Sequence, residues 1–227
     1  MARISKRGKE AAQNVNCDKK YSLDEAVDQI AKFPKTKFDE TVEMHFSLNI
    51  DTKASEQAIR GTVVLPHGTG KSKKIAVVCK GESERKAKDA GADHVGSNDL
   101  IDKIAGGFMD FDVVIATPDM MKDLSKLGKV LGPRGLMPTP KAGTVTADVE
   151  KAINEVKAGR IEFKSDKQAG IHVGIAKRSF TKDKILQNAN YLIEAINHVK
   201  PNQVKGNLIK TISISTTMGP GLKLQVA

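Results

Sequence analysis

"HGTGKSKKIAVVCK", residues 67–80, is the stretch whose reading decides the fold. Gly70-Lys71-Ser72 are the last three letters of a phosphate-binding loop. Such a loop needs an earlier glycine five positions before Gly70 and a helix directly after the serine, so that backbone N–H groups converge on phosphate. Position 65 is Leu65, and "KKIAVVCK" follows the serine. That apolar, β-branched run predicts a strand. Both requirements fail, so the stretch reads as a Gly/Pro-rich connection between strands, and between two domains.

The residues before it have one texture. "SLDEAVDQIAKF" (22–33) sets Leu23, Ala26, Val27, Ile30 and Ala31 on one helical stripe. Ser22 and Glu25 form a capping-box pattern, and Pro34 closes the helix. "FDETVEMHFSLNI" (38–50) alternates, with Val42, Met44, Phe46 and Leu48 one way and Glu43, His45 and Ser47 the other. This predicts a half-buried strand of an antiparallel sheet. "RGTVVLP" reads as a further strand, and the polar, basic first twenty residues as a loosely held arm.

After residue 73 the texture changes. Apolar runs "KIAVVCK" and "FDVVIATP" alternate with the helical patterns "ESERKAKDAGA", "SNDLIDKIAGG", "DMMKDLSKLGKVL" and "ADVEKAINEVKAGR". Such runs predict a parallel sheet covered on both faces. From residue 160 the first texture returns: strands "RIEFKSD" and "GIHVGIAKRSF", a long amphipathic helix over 181–199, and strands "LIKTISISTT" and "LKLQV" around the turn "TMGPG". The expected fold is an α+β domain built from both chain ends (1–67 and 160–227), interrupted by an inserted doubly wound, Rossmann-like α/β domain (68–159).

Charge divides along the same lines. The whole chain carries net +10, which favours a polyanionic partner. Residues 68–159 hold 15 basic and 13 acidic side chains, net +2, while the remainder holds 22 and 14, net +8. A polyanion is therefore expected on the split domain. No apolar stretch approaches the roughly 20 residues of a membrane span, and no apolar segment follows the basic "MARISKRGKE", so no secretory signal is read. Cys17 and Cys79 lie far apart without a CxxC. This argues for a reducing compartment and against a disulfide frame or zinc site. Aromatics are 4 % and Trp is absent, which speaks against an extensive base-stacking platform.

The five histidines lack metal-type spacing, and GxSxG, HExxH and DxDxD do not occur. The chain is read as a non-enzyme without cofactor or metal. The enzymatic alternative is an activity on a phosphorylated substrate in the α/β insert, and a third class is a protein-binding scaffold. Elsewhere, "GKVLGPRGLMPTPKAGTV" (128–145) is a proline-stiffened loop that holds Lys129, Arg134 and Lys141 in fixed geometry, open to an RNA or phosphate contact or serving only as a connection. Lys32, Lys35 and Lys37 surround Phe33 and Phe38. The Phe38 ring either stacks on a base or sugar or caps the core beneath the sheet. "EFKSDK" (162–167) and "STTMGPG" (215–221) offer lysines, hydroxyls and small residues at strand ends.

Three of these segments carry a resemblance. "KFDETVEMHFSLNID", "LGPRGLMPTPKAGTVT" with "AGRIEFKSDK", and "TTMGP" resemble the bacterial large-subunit ribosomal protein L-one family, over essentially the whole chain. The resemblance implies a non-enzymatic cytoplasmic protein of the ribosomal stalk near the tRNA exit site, monomeric off the ribosome. It implies binding of large-subunit ribosomal RNA by the domain made of both chain ends, and repression of the protein's own messenger through a similar RNA structure. It places RNA contacts on Lys37, Phe38, Thr41, Lys164, Ser165, Asp166, Lys167, His172, Thr217, Met218 and Gly219. Contact of the insert with departing exit-site tRNA would involve Arg134 and Lys141.

Overall fold

The computed structural model describes residues 6–13, 15–16, 19–51, 57–201, 204 and 206–225. It is a mixed α/β structure. Its contacts divide the chain into two compact units, Met1–Gly70 with Glu162–Ala227, and Lys71–Ile161.

The first unit is organised by a four-stranded antiparallel sheet. Strands β1 (Thr41–Leu48), β7 (Gly170–Lys177), β8 (Ile209–Thr216) and β9 (Leu222–Leu224) lie in the order β7-β1-β8-β9. The alternation read in β1 is realised residue by residue: Val42, Met44, Phe46 and Leu48 are buried, and Thr41, Glu43, His45 and Ser47 face out. The apolar face packs on α2 (Leu23–Lys32) and α8 (Lys182–His198), which bury Ala26, Val27 and Ile30, and Ile185, Ala189, Leu192 and Ile196. Ser22 caps α2 by accepting the Glu25 N–H at 3.2 Å. Strands β2 (Arg60–Val64) and β6 (Arg160–Lys164) form a separate two-stranded sheet.

The N-terminal residues correct one expectation. Lys6–Gln13 form helix α1 rather than a loose arm, with Ala11 buried. The Asn16 N–H donates to the Tyr21 hydroxyl at 3.1 Å, and Tyr21 bridges Leu224 of β9. A buried phenol thus fastens a segment whose polar composition gave no sign of docking. Cys17 lies outside the described residues, and Cys79 is buried.

The second unit has a parallel sheet, β4 (His94–Gly96), β3 (Ile75–Val78) and β5 (Val113–Ala116), in the order β4-β3-β5. Both faces are covered. Ala76, Val78, Val114 and Ala116 meet Leu100, Ile104 and Leu124 on one side, whereas Ile75, Val77 and Ile115 meet Ala87, Ile153 and Val156 on the other. The helices are α3 (Glu82–Asp89), α4 (Asn98–Ala105), α5 (Met121–Ser125), α6 (Gly128–Leu131) and α7 (Val149–Ala158). Two details depart from the sequence reading. β4 intervenes where two successive helices were expected, and the helix expected over 119–131 is broken into a 3-10 turn, α5 and α6.

Residues 67–74 end the phosphate-loop question. Ser72 leads into β3, not into a helix. Gly70 has φ +70°, and a Cβ there would stand 2.8 Å from Lys177 and 2.9 Å from Phe180. Its glycine serves a left-handed turn pressed against side chains. His67 and Gly68 are held by buried Asn188, which accepts from the His67 N–H at 3.2 Å and donates to the Gly68 carbonyl at 2.9 Å.

Candidate nucleic-acid interface

Antiparallel pairing brings distant segments of the first unit to one surface. The start of β1 meets the end of β8, with Val42 opposite Thr216. Thr41 and Thr217 then lock together: the Thr41 N–H donates to Thr217 Oγ1 at 2.9 Å, and the Thr217 N–H donates to the Thr41 carbonyl at 3.0 Å. Beyond Thr217 the chain turns, closed by the Gly219 N–H on the Thr216 carbonyl at 3.1 Å. Gly219 is required by packing. A Cβ there would lie 2.4 Å from the Thr216 hydroxyl and 3.0 Å from the Phe33 ring.

Two large apolar side chains stand out of this corner. Phe38 and Met218 are each 54 % exposed, the highest values among the exposed large hydrophobics. The two roles left open for Phe38 are therefore divided between neighbours. Phe33, at 3 % exposure, fills the core, and Phe38 faces solvent, just before β1 rather than within it. Lys37 is exposed beside it.

The other expected group sits at the far end of β1, where Ser47 pairs with Gly170. Over the roughly 3.4 Å per residue of an antiparallel strand, the six steps from Thr41 to Ser47 make about 20 Å. Here Asp166 organises the turn. Its Oδ1 accepts the Gly170 N–H at 2.6 Å and the Gln168 N–H at 2.8 Å. These backbone donors, Gly170 first, hold its carboxyl below the usual carboxylate range. Ser165 is buried, and its Oγ accepts the Ile59 N–H at 3.1 Å. Lys164, Lys167 and His172 are exposed. Of this group, Asp166 shapes the turn, Ser165 ties the end of β6 to Ile59, and the lysines and His172 present charge or hydrogen-bonding groups outward.

Between the two ends runs a polar sheet face that the motif reading did not include. His45 Nδ1 lies 2.9 Å from His172 Nδ1, and His45 Nε2 lies 2.9 Å from Ser215 Oγ. His172 Nε2 is 3.6 Å from Asp166 Oδ2. Partial burial, then the neighbouring His172, lower the His45 pKa against the opposing pull of Glu43. At the 2.9 Å Nδ1–Nδ1 contact one imidazole nitrogen donates while the other accepts. The outward half of the β1 alternation was the available signal for His45, and its cross-strand partners become visible only with the register.

A serine, histidines and a carboxylate in a row resemble the parts of a nucleophilic relay. Acyl transfer also needs backbone N–H donors converging on the reacting carbonyl. Along β1, which is paired on both sides, those donors are committed to the ladder. No group of three or more potential metal ligands occurs among the described residues. What the surface can do is present cations, hydroxyls and two apolar contacts to an extended polar partner.

In the second unit, Arg134 and Lys141 are both exposed. Their loop is cross-braced, with the Thr139 N–H donating to Thr144 Oγ1 at 2.9 Å and the Ala142 N–H to Thr139 Oγ1 at 3.3 Å. Leu136 and Met137 pack on the core, so the loop is ordered as its prolines implied.

Residues 30–220 match the model of the "Ribosomal protein L1p/L10e family". The chain is 51 % identical to the large ribosomal subunit protein uL1 of Protochlamydia amoebophila over 226 residues, covering 100 % of this chain and 96 % of that protein. It is 53 % identical to the uL1 protein of Fervidobacterium nodosum over 227 residues (100 % and 97 % covered), and 52 % identical to that of Thermosipho melanesiensis over 228 residues (100 % and 98 % covered). With the match spanning both units and every segment of the sheet face just described, the chain belongs to the Ribosomal protein L1p/L10e family.

Proposed function

We propose that the first unit binds a folded region of large-subunit ribosomal RNA along the sheet face from Met218 to Lys167. Family membership makes the chain a structural, non-enzymatic protein of the large subunit, placed on the cytoplasmic ribosome. The observation that carries the RNA reading is the pair Phe38 and Met218, both 54 % exposed at the corner that Thr41 and Thr217 lock. A protein that buries Phe33, Phe46 and Phe163 nearly completely leaves these two in water beside Lys37. An apolar contact ringed by cations and hydroxyls suits ribose and base surfaces together with phosphate.

Within this reading the roles divide. Lys37, Lys164 and Lys167 attract phosphates. Phe38 and Met218 pack on sugar or base. Thr41, Thr217 and His172 offer hydrogen bonds to 2′-hydroxyls, and Gly219, Ser165 and Asp166 fix the contours. The two units act as domains, 1–67 with 160–227 and the inserted doubly wound 68–159. The chain is a monomer off the ribosome and uses no cofactor. The same surface binds a similar fold in the protein's own messenger and represses its translation. Arg134 and Lys141 meet departing exit-site tRNA.

The test is a filter-binding titration of full-length protein with a large-subunit ribosomal RNA fragment. Met218→Asp is expected to weaken binding by about a hundredfold, or roughly 2.7 kcal/mol, with an unchanged thermal melt. Thr217→Ala is expected to weaken it less. Wild-type affinity in a folded Met218→Asp variant contradicts the site.

A further inference from the structure

The segment Phe33–Glu40, between α2 and β1, is neither helix nor strand, yet it is tethered by a dense set of hydrogen bonds. Its tethers come from three consecutive residues at and just beyond the end of β7. Arg178 Nη1 donates to the Glu40 carboxylate at 2.6 Å and to the Pro34 carbonyl at 3.1 Å. Its Nη2 donates to the carbonyls of Phe33 and Ala31, and its own N–H to the Glu40 carbonyl at 2.8 Å. Ser179 holds both carboxylate oxygens of Asp39, through its N–H at 3.2 Å and its hydroxyl at 2.7 Å. Lys177 Nζ reaches the Asp39 carbonyl and Thr41 Oγ1, each at 3.2 Å.

Resting on the RNA-binding reading above, we infer that Lys177, Arg178 and Ser179 are positioning residues for the RNA surface: they grip both ends of the segment so that Lys37 and Phe38 project from it.

The geometry accounts for what is fixed and what is free. One guanidinium satisfies carbonyls that α2 leaves unpaired as it ends, and neutralises a carboxylate that is only 2 % exposed. A buried ion pair of this kind gives little net stability, because desolvation offsets the attraction; what it fixes is geometry. With Phe33, Pro34, Asp39, Glu40 and Thr41 all held, the slack is confined to Lys35–Phe38. There the Thr36 hydroxyl donates to the Phe38 carbonyl at 2.6 Å and folds the tip back on itself. Phe38 is thus held in water before any partner arrives, which spares its ordering on binding.

The test turns on a sign. Asp39 is an exposed anion beside the proposed polyanion site, so electrostatics alone makes Asp39→Ala bind RNA more tightly. Positioning makes the same variant bind more weakly. Full-length wild type, Asp39→Ala, Lys37→Ala/Phe38→Ala and the triple variant are titrated with a large-subunit ribosomal RNA fragment and with an arbitrary duplex. Asp39→Ala is expected to lose about threefold in affinity, and to lose nothing further in the Lys37→Ala/Phe38→Ala background, as coupled neighbours do. Arg178→Met is expected to lose about tenfold with the same non-additivity. Should it not fold, the Asp39→Ala cycle decides. Equal or tighter binding by Asp39→Ala overturns the inference, as does an equal loss in both backgrounds. If wild type does not prefer the ribosomal fragment to the duplex, the parent reading fails, and this inference with it.

Discussion

In the sheet of the first unit every second residue of β1 faces solvent, whereas all four residues of β3 in the second unit are buried. The difference follows from how each sheet is connected. Antiparallel strands return through turns and leave one face free, while parallel strands return through helices that cover both. The second unit thereby gains a core with no open sheet surface, and any partner must meet its helices and loops. The first unit keeps a polar face about one strand long, and every residue the L-one resemblance assigned to ribosomal RNA lies on that face or at its two ends. In the proposed reading, the RNA-binding surface and one-sided burial are the same property of that sheet.

The largest expected effect breaks the comparison on the stability side. Ile115→Ala, deep in the two-sided sheet, should destabilise by about 3 kcal/mol, whereas Thr211→Ala on the open face should change stability by less than about 0.5 kcal/mol. Denaturant titration of both variants checks this, and comparable losses would mean that the open face is load-sharing core. A smaller effect concerns charge. Lys167→Ala should lower the log–log salt slope of ribosomal RNA binding by roughly 0.7 to 0.9, and Arg134→Ala in the second unit should leave that slope unchanged. The smallest concerns Asp166, whose folded pKa lies below its unfolded value of about 3.9. A depressed carboxyl contributes stability fully above the unfolded value and loses it as pH falls through the folded one. Asp166→Asn should therefore flatten the acid limb below about pH 4, by lowering neutral stability slightly and leaving stability at the acid end nearly unchanged. Hydrogen exchange of the Gly170 amide reports it.

Much of this was legible in the sequence, for reasons that differ between elements. The β1 alternation, the Ser22 cap and the all-apolar runs of β3 and β5 are local patterns, so each announced its own burial. β4 was missed because three half-buried residues carry no period. The break between α5 and α6 was missed because a helical pattern outlasts the helix on either side of Gly128. In the site, "TTMGP" and the lysines stood out by type, but the standing of Phe38 did not. Its exposure depends on Arg178, 138 residues beyond Glu40, and no local spacing encodes that tie. Ser165 and Asp166 were assigned to the RNA by resemblance, and their hydrogen bonds show structural tasks that the motif conceals: Ser165 ties to Ile59 and Asp166 builds the turn.

The central claim is that the face of the antiparallel sheet suffices to recognise RNA. Replacing Lys71–Gly159 by a flexible linker, which keeps β6 whole, and titrating the folded remainder with a large-subunit ribosomal RNA fragment tests it most directly. The account predicts affinity within about threefold of the full chain, since the contacts and most of the net charge remain. A folded remainder that binds the fragment no better than an arbitrary duplex would contradict it.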